Sequence, residues 1–445
     1  GAHQRWREDL SYVWTGKLDL TSQVNPRHLI KFGVEANYND VSFVDLQYVG
    51  YFYYPGRDTV PGPYKEYGLY RWVFDGYPWS GAVYLRDKME FKGLIVNAGL
   101  RLDYFDPGPT VEDSAYLRQW HAITELPPLK VKRHRYILSP RLGISHPITE
   151  RTVMYFAYGH FTQMPDLIYL YRDPWTGTWV GNPNLQPQKT VEYEFGFSQQ
   201  LTADAAAYIK WFSRDNYDYV GLIQTGTPPV WVWVNKGYGR TRGIELQLKK
   251  RYSNFTSGNF AYTYQWATGY ASWAYMECYR IWGGGQIPIR EHRLDWDQRH
   301  TIVLNFNLMA PKGEKLLGIL PDRWGMNLLW RFGSGLPYTP AGRDISIMEN
   351  MGTCPFTSTF DVTLYKEFAF GKRNFRIFAN ILNLFDRKNV RKWDGFNTWT
   401  GLPYRYGDAD GATHRIYSWR EMQYLMHPAR FESGRQIKLG IRLHW

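Results

Sequence analysis

Hydrophobic residues recur at every second position along most of this chain. In RQIKLGIRLHW (435–445), Ile437, Leu439, Ile441, Leu443 and Trp445 share one parity, and Lys438, Gly440, Arg442 and His444 share the other. LIVNAGLRLDYF (94–105) sets Leu94, Val96, Ala98, Leu100, Leu102 and Tyr104 against Asn97, Gly99, Arg101 and Asp103. HTIVLNFNL (300–308) does the same with Ile302, Leu304, Phe306 and Leu308 against Thr301, Asn305 and Asn307. A period of two is that of a β-strand with one apolar and one polar face. Applied along the chain it predicts fifteen strands, centred on 11–24, 28–45, 78–91, 94–105, 134–146, 152–163, 189–201, 205–219, 234–251, 256–270, 298–309, 324–336, 357–369, 374–386 and 435–445, with no helix competing.

The connections alternate in length. Short links at 25–28, 90–93, 147–151, 201–204, 252–255 and 371–374 alternate with long segments near 50–77, 106–133, 164–188, 271–297, 337–356 and 387–434. One link on the short side, 310–323, is longer than its fellows, and the connection after 205–219 is shorter than the other long ones. Short turns at one end and long loops at the other are the habit of outer-membrane barrels. Soluble sandwiches use strands of about five or six residues, whereas here alternation often holds for ten or more. Propeller blades carry a repeated motif, which is missing. The pattern predicts an all-β fold, a transmembrane antiparallel β-barrel of the outer-membrane type. Its apolar faces need only lipid to cover them.

Composition agrees with lipid. Of 445 residues 18% are aromatic, with 35 Tyr and 20 Trp, and such rings favour membrane interfaces and ligand loops. No run of about 18 apolar residues offers a transmembrane helix. The mean hydropathy of −0.48 suits a barrel, in which half of each strand and all loops are polar. The net charge of +12 raises nucleic acid as a partner, but the cations form no stripe and no nucleic-acid-binding motif is present. Outer-membrane lipid and anionic lipopolysaccharide fit the charge better. Two cysteines, Cys278 and Cys354, fall in long loops, as a disulfide of an oxidising compartment or as two thiols.

Signs of catalysis are lacking. The chain has no HExxH, GxSxG or Walker loop, so neither enzymatic activity nor a cofactor is expected. DADG (408–411) hints at a calcium loop without the remaining ligands, and Gly283–Gly285 is read as a flexible loop.

Several stretches then resemble the TonB-dependent outer-membrane receptors. GNPNLQPQKTVEYEFGF (181–197), NKGYGRTRGIELQLKK (235–250), WDQRH (296–300), SGLPYTP (334–340), FANILNLFDRKNV (378–390) and the terminal strand are similar to family elements, and their order over 84–445 is that of the family. Gln188 stands where the family usually has Glu. Asn182, Pro183, Asn184 and Pro187 suit a chain turning from loop into strand. Asn380, Asn383 and Asp386 suit backbone bonding where a strand leaves the membrane, and Gly243 and Gly440 suit close approach in a barrel wall. The terminal strand resembles the signal read by the barrel assembly machinery, with Lys438, Gly440, Leu443 and Trp445 at matching positions.

The resemblance implies a barrel of 22 strands with a plug in its lumen. An odd count of fifteen then makes residues 1–445 the C-terminal portion of one barrel domain, with the plug domain and early strands outside it. It also implies an outer membrane of the Gram-negative type, long loops extracellular, the C-terminus periplasmic, and TonB contacted through the N-terminal region to drive uptake of a scarce small ligand. Candidate ligand contacts are the loop aromatics Tyr169, Tyr171, Trp175, Trp179, Trp231, Trp233 and Trp273, since rings stack on sugars, siderophores or peptide side chains. The competing reading of these rings is interfacial girdle or loop-on-loop packing. Competing functions are a passive channel and a structural or adhesion barrel that binds partners through its outer loops.

Overall fold

The computed structural model describes residues 5–47, 70–112, 114–171, 179–227, 229–282, 287–288, 290–341, 349–370, 373–391 and 395–444. The wall strands are β1 (Arg5–Asn25), β2 (His28–Gln47), β3 (Tyr70–Gly76), β4 (Trp79–Phe91), β5 (Leu94–Asp106), β6 (Arg135–Thr149) and β7 (Thr152–Gln163). After the two-residue β8 (Trp179–Val180) come β9 (Gln188–Gln200), β10 (Ala205–Thr225), β11 (Val230–Ser253) and β12 (Thr256–Gly269). The two-residue β13 (His292–Arg293) precedes β14 (His300–Ala310) and β15 (Trp324–Gly333). A separate pair, β16 (Pro337–Tyr338) and β17 (Gly352–Thr353), lies in a loop, and β18 (Thr357–Phe370), β19 (Arg373–Leu382) and β20 (Gln436–His444) complete the wall.

All but β16 and β17 belong to one sheet of 18 strands. Each wall strand pairs with its neighbour in the chain, antiparallel throughout. Strands β3 and β4 are two halves of one: β3 pairs with the upper part of β2, from Gln47↔Tyr70 to Val41↔Gly76, and β4 with the lower part, from Tyr38↔Trp79 to His28↔Met89. The fifteen strands expected from the period of two are all present. Strand β1 pairs with β2 and β20 with β19, and the sheet is open between those edges.

Register places the apolar parity on the outer face. Ile437, Leu439, Ile441 and Leu443 of β20 are 60–77% exposed, and the outward residues Leu10, Trp14, Leu18 and Leu20 of β1 are 48–55% exposed. Outward rings meet across strands: Trp14, Tyr38 and Trp79 are direct partners with centroids 5.4 and 4.7 Å apart, and Trp330 stacks on Phe360 at 5.4 Å. Outward aromatic rings of this kind suit a bilayer interface.

The inner face is polar and cross-linked. Lys210 on β10 reaches Glu194 on β9 (2.8 Å) and Glu245 on β11 (3.1 Å), and Arg214 reaches Glu192 (2.6 Å). Inward glycines are covered by aromatic rings from the directly opposite residue: Tyr84 over Gly33, Tyr155 over Gly196, Phe212 over Gly243, Tyr365 over Gly325 and Phe378 over Gly440. The ring supplies the packing a bare glycine lacks, and the glycine lets the ring lie flat on the wall.

Short connections at one rim are turns. Asn25 Oδ1 accepts from the N–H groups of Arg27 and His28, and in the β11–β12 hairpin Asn254 and Phe255 both take positive φ (46° and 65°), as a two-residue primed turn requires. The other rim departs from the sequence reading, which contained no helix. Helices α1 (Ser114–Thr124), α2 (Leu167–Tyr171), α3 (Met276–Trp282) and α4 (Trp419–Leu425) stand in the long loops. They are short pieces held by tertiary packing. Strands β10 and β11 also run past their expected ends to Thr225 and Val230, so their hairpin stands among the loops.

Candidate functional site

The tip of the β10–β11 hairpin organises the loop rim. Its residues Trp231 and Trp233 are buried, and Trp179 and Val180 of β8 pair in parallel with Trp231 and Val232. Around them gather Phe43, Phe74, Phe105, Leu170, Tyr171, Leu185, Leu222 and Cys278, a hydrophobic core made by loops and strand ends. Tyr171 stacks on Phe74 at 5.2 Å and donates its hydroxyl to the Pro107 carbonyl; burial pushes its ionisation up. Tyr169 packs on Trp233 at 4.3 Å.

The stretch 181–188 staples this core to the wall. Asn182 donates to the Trp233 carbonyl (2.8 Å), Asn184 donates to Lys130 O and accepts from Lys132 N (2.8 Å each), and Asn235 exchanges two bonds with the Gln186 backbone (2.7 and 2.9 Å). WDQRH and SGLPYTP are joined too. Buried Asp297 accepts from Ala267 N (2.7 Å), Arg293 (2.7 Å) and Arg299 (3.0 Å), while Gln298 donates to Ser334 O (2.9 Å). Asn383 and Asp386, both at positive φ, accept from Arg387 N and Arg435 N. The roles assigned to these residues are therefore architectural.

Beside this core, at the mouth of the lumen, lies a cavity of about 460 Å³. Strands β7 and β9 contribute Gln163 and Gln188, which face each other in register. Lys236 of β11 and Glu277 of α3 form an ion pair on its wall, and Asp166, Tyr169, Tyr219, Tyr270, Trp273 and Trp296 supply the remaining chemistry. Tyr270, Trp273 and Trp296 keep 41%, 45% and 40% of their surface exposed. Trp273 also borders a second cavity of about 500 Å³ with Met276, Arg280, Asp295 and Thr339. Behind it Glu349 accepts from Arg280 and from Thr339 (2.9 Å), and burial pushes its carboxyl pKa up. His292 nearby is pushed down by burial.

The candidate aromatics thus divide. Tyr171, Trp179, Trp231 and Trp233 are packed inside the loop core and offer no free face, whereas Tyr169 and Trp273 line the cavity. Trp175 lies outside the described residues, as do Trp445 of the terminal strand and Gly283–Gly285. Tyr270 and Trp296 were missed, although each adjoins a strand end or motif that the sequence marked. Of the terminal-strand positions, Lys438 and Gly440 face the lumen opposite Asn380 and Phe378, and Leu443 faces outward.

Cys278 and Cys354 sit in two different hydrophobic clusters of the loop rim. Cys278 accepts a hydrogen bond from Trp179 Nε1 (3.2 Å) in the loop core, and Cys354 packs in another cluster with Tyr338, Val390 and Phe396. Asp410 of DADG accepts from Ala412 N, Thr413 N and the Thr413 hydroxyl, which makes it a turn residue. Among the described residues no three His, Cys, Asp or Glu side chains converge on a metal position.

A wall of long antiparallel strands, apolar outside and polar inside, with turns at one rim and folded loops around a cavity at the other, defines a transmembrane β-barrel of the receptor type. The family described as TonB dependent receptor-like, beta-barrel matches residues 2–384, and the chain belongs to it. Solved structures with the same fold include the copper transporter OprC (16% identity, TM-score 0.58, 98% of this chain and 56% of that one). The outer membrane transporter YddB from Escherichia coli is similar as well (13%, 0.59, 98% and 54%). So is FpvAI in its complex with pyocin S2 (11%, 0.60, 99% and 50%). This chain spans about half the length of each of them. No curated relative matches.

Proposed function

We propose that residues 1–445 form the C-terminal portion of the barrel of an outer-membrane receptor that takes up a scarce small ligand by TonB-coupled transport. The ligand binds first in the cavity edged by Tyr270, Trp273 and Trp296. The carrying observation is that cavity: it opens at the loop rim where the lumen begins, and its volume falls in the range of small-molecule sites, about 300–1,000 Å³. In this reading the loop rim is extracellular and the C-terminus periplasmic. The open edges of β1 and β20 are where further wall strands continue the sheet, since exposed strand edges seek partners. A plug fills the lumen and passes the pull of TonB to the site. Membership of the family and the fold shared with transporters support the reading.

The test has two stages. Full-length receptor is used to capture solute from growth medium, and the solute is identified by mass spectrometry. Its accumulation is then followed in cells with and without TonB. Accumulation that needs TonB supports active uptake, and equal accumulation in both strains leaves a passive channel. Capture at the surface with no accumulation in either strain leaves an adhesion barrel.

A further inference from the structure

The proposed ligand cavity also carries information about its ligand. Among the described residues lining it, the charged ones are two carboxylates, Asp166 and Glu277, and one ammonium, Lys236. That ammonium is already engaged by Glu277 and lies 3.4 Å from the Leu222 carbonyl. Among the described lining residues the balance is therefore net negative, and the one cation is already paired. A multiply anionic solute entering it loses hydration and finds no counter-charge, which costs more than ring contact returns.

What the cavity does offer is flat and neutral. Tyr270, Trp273 and Trp296 line it with much of their ring surface exposed, and Gln163 and Gln188 bring two carboxamides from directly paired positions of adjacent strands. Carboxamides can donate and accept together, which suits neighbouring hydroxyls. Aromatic faces suit the C–H face of a saturated ring, because such rings combine an apolar body with polar edges.

We infer that this site takes an uncharged, ring-built polyol, a neutral oligosaccharide, rather than an anionic metal chelate. The inference rests on the cavity's being the ligand site, as proposed above. Full-length receptor in detergent is titrated with neutral di- to tetrasaccharides of the gluco, xylo, manno and N-acetylglucosamine series. Ferric tris(catecholate) serves as the anionic probe, and calorimetry and tryptophan fluorescence are read at low and high salt. The expected result is saccharide binding indifferent to salt, since no charge pair is made. Trp273→Ala or Trp296→Ala should weaken it about tenfold or more, as loss of an aromatic anchor does. Chelate binding that these substitutions abolish, with no saccharide bound, overturns the ligand class and leaves the site standing. Binding of either probe that ignores both substitutions overturns the site as well. Silence from every saccharide also overturns the class.

Discussion

Phe378 of β19 lies flat across Gly440, its direct partner on β20, so that a Cβ at position 440 would stand 2.5 Å from the ring's Cζ. The ring must move for any other residue to fit. Gly440→Val is expected to cost about 1–3 kcal/mol, the usual price of overpacking, and to slow assembly of the terminal hairpin. Leu439→Val, on the outward face, should do neither. Heat-modified migration on gels and thermal melts check both.

Asp297 is fully buried, with Arg293 and Arg299 on its carboxylate and the Ala267 amide on one oxygen. Removing one member of such a cluster leaves buried charge uncompensated, at about 3–5 kcal/mol. Asp297→Ala is therefore expected to lower the melting temperature and to raise amide exchange at Ala267 and across 292–300. Unchanged exchange there would refute the clamp.

Trp179 and Trp273 separate packing from binding. Trp179 fills the loop core against Trp282 (5.2 Å) and Tyr275 (5.5 Å). Its replacement by Ala should cost about 3–5 kcal/mol and loosen the loops. Trp273, nearly half exposed, should change stability by no more than about 0.5 kcal/mol and register only in ligand affinity. Limited proteolysis of the loops, set beside binding, distinguishes the two; equal protease sensitivity would sink the assignment.

The wall was legible in the sequence because each strand carries its own record. Lipid on one side and lumen on the other impose a period of two that needs no knowledge of neighbours. Ile437 to Leu443 is an example, and so are Leu94 to Leu102. The loop rim keeps no such record. Trp179 meets Trp231 through a parallel pairing of distant segments, and nothing local distinguishes those rings from Trp273. The helices α1 to α4 are too short for a helical period to emerge from aromatic-rich loops. Motif residues such as Asn182 and Asp297 could be found by resemblance, but their partners, Trp233 O and the Arg293–Arg299 pair, are set by tertiary structure. Function at this rim depends on which faces stay open, and that is decided by packing.

The long loop before β20 provides a pH-dependent test. Ser418 caps α4, with its hydroxyl accepting from Glu421 N while the Glu421 carboxylate accepts from Ser418 N (2.7 Å). Arg415 forks onto the same carboxylate (2.5 and 3.0 Å). The guanidinium first, and then the Ser418 bonds, hold the Glu421 pKa down at about 2, below the ordinary 4.5. A depressed carboxyl pKa gives stability that is present above the unfolded value and lost as pH falls through the folded one. Amide protection over 418–426 should therefore hold from neutral pH down to about 4.5 and decline towards 2. Glu421→Gln should lower protection at neutral pH and flatten that decline, because its amide keeps no charge for Arg415. The carboxylate is partly exposed and open to screening, so added salt should narrow the gap between wild type and variant. A variant that reproduces the wild-type decline would show that Arg415 and Glu421 do not hold the helix start.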